Sequence, residues 1–186
     1  MRTFSTLVAG MILGVAVVLL GVYSYFAMGQ APVATAARPM PFEKKLAHRA
    51  LNAVVDREMP KTVPLQADEP NLAAGASLYR EHCAVCHGLP GQKETAIAMG
   101  MYPHPPKLME GKGVTDDEPG ESYWKIMNGI RLTGMPGFKS GISETQGWQI
   151  SLLVAHADKL PKSVQDTLSV PLIAAAVANG TKSIEK

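Results

Sequence analysis

The sequence predicts an all-α protein in which one apolar N-terminal helix precedes a small helical domain. Two observations lead to this fold class: an uncharged run near the N-terminus, and later stretches in which apolar residues recur at helical spacing. The alternating pattern of a half-buried strand does not occur. A length of 186 residues leaves room for one medium domain with accessory segments, and a net charge of +2 argues against a dedicated nucleic-acid binder.

The uncharged run extends from Leu7 to Met28. About 20 apolar residues in a helix cross the hydrocarbon core of a bilayer, so residues 7–28 are predicted to form a transmembrane anchor. A cleaved signal peptide is the alternative, and Ala34-Thr35-Ala36 resembles a small-x-small cleavage site. The run is longer than the roughly 7–15 apolar residues of a signal peptide, which favours the anchor. Basic residues on both sides leave the orientation open, but either interpretation exports the rest of the chain.

Residues 29–70 hold six of the fourteen prolines, which indicates an extended connector. Within it, apolar residues between Phe42 and Met59 recur at helical spacing and predict an amphipathic helix of about four turns. This helix either packs on its own domain, docks on a partner, or lies at the membrane surface. At the other end of the chain, the apolar run from Val170 to Ala178 is too short to span a membrane and is predicted to be a packed tail or a partner contact.

Residues 71–160 are predicted to form the folded domain, with three helices. Asn71 is a candidate N-cap for the first helix, because its short polar side chain can accept a backbone hydrogen bond. The second helix is predicted to begin near Asp117. Ser143 and Gln146 form a capping-box pattern at the start of the third.

Cys83, Cys86 and His87 form the C-x-x-C-H pattern of covalent haem attachment. Residues three apart share a helix face, so both thiols can bond to the vinyl groups of one haem while the histidine reaches the iron. A redox-active dithiol would require alternating strands and helices around it. A zinc site would require further ligands, and the sequence has no second cysteine pair. The pattern therefore predicts one covalently attached haem c.

A six-coordinate iron needs a second axial ligand, and Met135 is the best candidate. It lies in Gly134-Met135-Pro136-Gly137, an irregular loop that can present a side chain to the ring. The predicted metal ligands are thus His87 and Met135. Five other side chains remain open alternatives: Met99, Met101, Met109, His82 and His104. Iron with an open sixth position would change the function to gas binding or peroxide chemistry.

Further motifs carry a resemblance to a known family. In chain order they are Tyr79-x-x-x-Cys83-x-x-Cys86-His87-Gly88, Pro105-Pro106-Lys107-Leu108, Asn128-Gly129-Ile130-Arg131-Leu132-Thr133-Gly134-Met135-Pro136, and Trp148-Gln149-Ile150. Together they resemble the class I monohaem cytochrome c family in its bacterial, membrane-anchored form. The resemblance covers residues 71–160 and implies a class I cytochrome c fold around one covalent haem.

The resemblance also implies roles for individual residues. The Pro106 carbonyl is expected to accept a hydrogen bond from the ring of His87, and Arg131 is expected either to reach a haem propionate or to be exposed. The resemblance implies that Gly75 and Trp148 lie where the first and third helices cross, although a plain core position is favoured for Trp148. Because the attachment of such haems resembles a process completed on the outer face of the bacterial inner membrane, the resemblance implies a periplasmic location for the chain after the anchor.

The resulting functional hypothesis is a membrane-tethered periplasmic cytochrome that transfers single electrons between respiratory or dehydrogenase partners as a subunit of a larger complex. It is an electron carrier rather than an enzyme, with no small-molecule substrate and no nucleic-acid partner. Two alternatives are a freely swinging shuttle and a haem-based sensor or peroxidase. The expected segments are a cytoplasmic N-terminus at 1–6, the anchor at 7–28, the connector at 29–70, the cytochrome domain at 71–160 and an extension at 161–186.

Overall fold

The structure is a computed structural model that describes residues 2–110 and 117–172. Within these ranges the chain is helical and contains no strand, as the sequence predicts. The helices are α1 (Arg2–Ala27), α2 (Glu43–Glu58), α3 (Glu69–His82), α4 (Ala84–His87), α5 (Ala96–Met99), α6 (Pro119–Asn128), α7 (Glu144–Ala155) and α8 (Lys162–Ser169). The chain divides into two compact units, Met1–Leu46 and Ala47–Lys186.

Helix α1 accounts for most of the first unit. Its residues Thr3–Ala27 are long and apolar enough to cross a membrane, judged by length and composition. Two residues after the helix ends at Ala27, Gly29 has a φ of 69°, in the left-handed region that glycine adopts without strain. The Gln30 amide donates to the Tyr25 carbonyl across this turn at 3.1 Å. The predicted N-terminal apolar helix is therefore present.

Helix α2 occupies Glu43–Glu58, close to the bounds predicted for an amphipathic helix. Its last turns belong to the second unit, where Val55 and the following Met59 are buried. Just beyond the helix, the Pro60 carbonyl packs closely on Gly120 of α6. Any side chain at position 120 would overlap this carbonyl oxygen. The compact unit thus begins ahead of residue 71, and part of the proline-rich segment packs within it.

The prediction that Asn71 caps the first domain helix is wrong. The N-cap of α3 is Asp68, whose carboxylate oxygen accepts the Asn71 amide at 3.1 Å. Asp68 has extended backbone angles and Pro70 fits the first helical turn, where its missing N–H leaves no bond unmade. The Asn71 side chain instead accepts a hydrogen bond from Gln149 of α7 at 3.1 Å.

Helix α7 starts as predicted. Ser143 Oγ accepts the Gln146 amide at 3.2 Å, and Gln146 Oε1 accepts the Ser143 amide at 2.8 Å, which completes the capping box. The Trp148 ring stacks on Tyr123 of α6, with ring centres 4.1 Å apart and planes inclined by 13°. The resemblance implied that Trp148 lies at the α3–α7 crossing, but its stacking partner belongs to α6.

Gly75 lies where α3 crosses α7. A Cβ atom at this position would overlap the Gln149 carbonyl oxygen and lie 3.2 Å from the Leu153 Cβ. The two backbones therefore approach as closely as glycine allows, in agreement with what the resemblance implied. The core between these helices contains Leu72, Ala76 and Tyr79 from α3 and Ile150 and Leu153 from α7.

The beginning of the C-terminal extension is packed. Val164 and Leu168 of α8 are buried against α3. Arg80 of α3 donates to the Thr167 carbonyl at 3.0 Å, which satisfies one of the free carbonyls at the end of α8. Of the apolar run predicted to pack or to contact a partner, residues 173–178 lie outside the described residues.

Substitution Gly75→Ala is expected to destabilise the second unit by about 1–3 kcal/mol, because α3 and α7 must move apart to admit the methyl group. Thermal unfolding of the purified protein, followed by far-ultraviolet circular dichroism, measures the change. Ser77→Ala is the matched control, since Ser77 is exposed on the same helix. Equal melting temperatures for the two variants would contradict this description of the crossing.

Candidate functional site

The site begins where α3 gives way to the single turn of α4. The Cys83 amide donates to the Tyr79 carbonyl at 2.8 Å, and the His87 amide donates to the Cys83 carbonyl at 2.9 Å. Cys83 and Cys86 are free thiols, each half-buried and three residues apart on this turn. The local hydrogen bonds thus hold the two sulfur atoms and His87 on one short, continuous segment.

Tyr79 fixes the end of that segment. Its hydroxyl donates to the Gly88 carbonyl at 2.9 Å, and its ring is fully buried in the core. Burial raises the pKa of the Tyr79 phenol, with a smaller contribution from Cys83, so the hydroxyl keeps its proton and remains a donor. Tyr79 belongs to the cysteine motif, but the sequence pattern does not predict a role for it. Its spacing from the cysteines was the available signal, because one helical turn separates it from Cys83.

The His87 ring has a defined orientation. Its Nδ1 lies 2.8 Å from the Pro106 carbonyl oxygen, and a carbonyl only accepts, so Nδ1 carries the proton. Burial lowers the pKa of His87, although the Pro106 bond acts in the opposite direction. The ring is therefore neutral at neutral pH and its Nε2 carries a lone pair. A nitrogen in this state is the form that binds iron.

Cys83 lacks the lowered pKa of a reactive or metal-bound thiolate. Burial raises the pKa of Cys83 to about 12, with a smaller contribution from Cys86, whereas reactive or metal-bound cysteines have lowered values. In addition, residues 2–110 and 117–172 contain no group of three or more His, Cys, Asp or Glu side chains arranged to hold a metal ion. The donor set fits a group that takes two thioether bonds and one imidazole.

The loop that carries Met135 is held by its own hydrogen bonds. Thr133 Oγ1 donates to the Ile130 carbonyl at 2.7 Å and accepts the Met135 amide at 3.1 Å. The Ile130 amide donates to the Met135 carbonyl at 3.1 Å. Gly129, with φ of 69°, is packed against this backbone, and a Cβ there would lie 2.9 Å from the Met135 carbonyl oxygen. Met135 itself is half-buried against the core.

The segment between residues 95 and 101 links the cysteine turn to the Met135 loop. At one end, Thr95 Oγ1 donates to the Val85 carbonyl at 2.5 Å. At the other end, the Met101 methyl group contacts Gly134. Any side chain at position 134 would overlap this methyl group. The two predicted ligand-bearing segments are therefore joined by one stretch of chain. Sequence reasoning did not predict this link, because no local pattern couples Met101 to Gly134.

Exposed apolar side chains are concentrated on the same segments. Among the described residues of the second unit, seven large apolar side chains are exposed, and five of them lie on or beside the cysteine turn, α5 or the Met135 loop: Val85, Ile97, Met99, Tyr102 and Leu132. A large apolar group held at the cysteines would cover such surface, so the residues present fit a haem.

The alternative ligands are placed as follows. His104 is already engaged, with Nδ1 3.0 Å from the Pro105 carbonyl oxygen and Nε2 3.3 Å from a Glu94 carboxylate oxygen. His82 packs beside the Phe138 ring, with ring centres 5.8 Å apart. Three other predicted residues differ in exposure: Met109 is buried, whereas Met99 and Arg131 are exposed.

Comparison with known proteins gives one family match. Residues 70–152 match the sequence model of the family described as "Cytochrome C oxidase, cbb3-type, subunit III". Among curated proteins, no sequence matches at a significant level.

A chain from the Kuenenia stuttgartiensis reducing HAO-like protein complex is one of the solved structures that resemble this protein. It is 25% identical, with a TM-score of 0.45, over 50% of this chain and 46% of that chain. The similarity therefore spans less than half the length of that relative.

The family match lies on the segment that contains the cysteine turn, the Pro106 carbonyl and the Met135 loop. It agrees with the helical fold and with the donor set described above. Residues 70–152 are thus similar to a cytochrome c family, and this match supports the resemblance to monohaem cytochromes c.

Proposed function

We propose that this protein is a membrane-tethered, periplasmic cytochrome that transfers single electrons between larger redox proteins, as a bound subunit of one of them. The cytochrome c domain indicates electron transfer as the general function. The observation that carries the proposal is the position and orientation of the His87 ring. The ring directly follows Cys86, the second of the two free thiols, and the Pro106 carbonyl holds it by a hydrogen bond.

The residues have distinct tasks in this proposal. Cys83 and Cys86 would form the two thioether bonds to a haem, and His87 would give its Nε2 lone pair to the iron. Met135 would supply a second ligand through its thioether sulfur. Bound haem supplies an iron that alternates between the ferrous and ferric states. Arg131 is proposed to lie near a propionate.

Two axial ligands on rigid segments favour electron transfer over catalysis. The hydrogen bonds of Thr133 and the close packing of Gly129 restrain the Met135 loop, and the Pro106 bond restrains His87. With both ligands restrained, the iron would keep the same ligands in both oxidation states and would have no free position for a substrate. Methionine ligation also raises the reduction potential.

Helix α1 supports the proposed membrane tether. Its exposed apolar surface suits a single-pass anchor in a bacterial inner membrane. Covalent haem attachment requires the cytochrome domain to lie on the periplasmic side, so residues 1–6 are cytoplasmic. An anchor also keeps the carrier at a high local concentration beside membrane partners.

Attachment to a complex is supported by two observations. The matched family is described by name as an oxidase subunit. Furthermore, the segments on both sides of the cytochrome domain pack within its unit, α2 through Val55 and α8 through Val164 and Leu168. Such packing shortens the free linker, which disfavours a domain that swings widely on its tether.

Substitution Met135→Ala is expected to abolish the weak near-red absorption band that a sulfur-to-iron bond gives in the oxidised protein, and to lower the reduction potential. Met101→Leu is the matched control, because Met101 lies against the same loop at Gly134. The control should keep the band. A band that survives in the Met135 variant and disappears in the Met101 variant would assign the ligand to Met101.

The anchor predicts that the mature chain begins at its original N-terminus and stays in the membrane fraction after alkaline extraction. Protease added to intact spheroplasts should digest the haem domain. A charged residue at the middle of a membrane helix costs about 2.5–3.5 kcal/mol on insertion scales, so Leu13→Glu should reduce the membrane-bound fraction. An N-terminus after Ala36 would identify a cleaved signal peptide instead.

A fixed subunit predicts co-purification. Gentle detergent extraction and size-exclusion chromatography should yield the protein in constant ratio with larger haem or iron–sulfur proteins. Elution as a lone polypeptide that reduces and reoxidises normally would favour the free shuttle. Rapid reaction of the reduced protein with carbon monoxide would favour the sensor or peroxidase function, since it requires an open iron position.

A further inference from the structure

Charge is unevenly distributed along the chain. Residues 1–55 contain five Lys or Arg and a single acidic residue, Glu43, whereas residues 56–186 contain thirteen Lys or Arg and fifteen Asp or Glu. The positive excess of the whole protein therefore comes from its N-terminal part. Four of the five basic residues follow the apolar helix within a short stretch: Arg38, Lys44, Lys45 and Arg49.

Residues 44–50, in the first two turns of α2, are all exposed. Leu46 is 64% exposed and the preceding Phe42 is 74% exposed, although both are large apolar side chains. Lys45 and Arg49 are four residues apart and form a basic side of the helix, which adjoins the apolar side that carries Leu46. This arrangement is typical of helices that lie in a membrane interface.

The acidic residue in this stretch is already engaged. A Glu43 carboxylate oxygen accepts the Met40 amide at 2.8 Å, on the turn that leads into α2. This bond orients the carboxylate but leaves its charge, which offsets only one of the four nearby basic residues, and the lysines that follow it are exposed. The surface that results is positive and partly apolar.

The chain length keeps this surface close to the end of α1. Only residues 28–42 separate the end of α1 from the start of α2, and at about 3.5 Å per residue they reach at most about 50 Å. Turns closed by the Gln30 and Ala37 amides shorten that reach further. If α1 spans the bilayer, residues 38–50 are within reach of the lipid headgroups.

We propose that residues 38–50, hereafter the juxtamembrane segment, bind an anionic lipid surface. Lys44, Lys45 and Arg49 meet the phosphate groups, and Phe42 and Leu46 enter the boundary between headgroups and acyl chains. The proposal rests on the membrane anchorage proposed for α1. A lipid surface is favoured over a protein partner because charge complementarity and the short connection to the span both point to the bilayer.

The test uses the full-length haem protein in nanodiscs of phosphatidylglycerol or of phosphatidylcholine. Hydrogen–deuterium exchange of peptides from the juxtamembrane segment should be about tenfold slower in the anionic lipid, because binding stabilises the first turns of α2. The protection should decrease at high salt. Lys44→Glu/Lys45→Glu should abolish it, whereas Lys61→Glu/Lys159→Glu, an equal charge change at exposed positions, should retain it.

Equal exchange in the two lipids would overturn the proposal. Protection that requires co-purified proteins and is insensitive to lipid charge would also overturn it and would assign the surface to a protein partner. Failure of the membrane anchor is a separate outcome, because flotation of the reconstituted protein with lipid measures it directly. A protein that floats with lipid but exchanges equally in both lipids retains its anchor and lacks the lipid contact.

Discussion

The hydrogen bond from His87 Nδ1 to the Pro106 carbonyl is the interaction on which the site depends. This bond, 2.8 Å long, assigns the ring proton to Nδ1. It leaves Nε2 unprotonated, with a lone pair that can bind a metal. Burial acts in the same sense by lowering the pKa of His87. Without this hydrogen bond, a haem held by the two thiols would have no imidazole oriented toward its iron.

The helices position the two ends of this interaction. Tyr79 links α3 to the end of the cysteine turn through its bond to the Gly88 carbonyl, and Gly75 lets α3 pack directly on α7. Helix α6 leads into the Met135 loop and packs on α7 through the Tyr123–Trp148 stack. A rearrangement of the α3–α7 crossing would therefore displace both ligand-bearing segments.

Local features of the fold could be predicted from the sequence. The apolar helix, the amphipathic helix at residues 43–58 and the capping box at Ser143 all arise from patterns a few residues long. The N-cap of α3 was mispredicted because Asp68 and Asn71 are both good capping residues. Which one caps depends on where the backbone becomes extended, and Pro70 shifts that point toward Asp68.

The long-range features could not be predicted. The contact of Met101 with Gly134, the packing of α8 on α3 and the stacking of Trp148 on Tyr123 join residues far apart in sequence, and no spacing rule encodes them. The juxtamembrane segment is an intermediate case. Its helical pattern was visible in the sequence, but the exposure of its first two turns became evident only in the structure.

The central claim is that one haem is bound covalently at Cys83 and Cys86. Mass spectrometry of the mature, acid-denatured protein tests it most directly. The expected mass is that of the chain plus one haem, and after trypsin digestion the added mass should remain on the peptide from Glu81 to Lys93. An unmodified chain mass, with haem released by acid or with both cysteines open to alkylation, would contradict the claim.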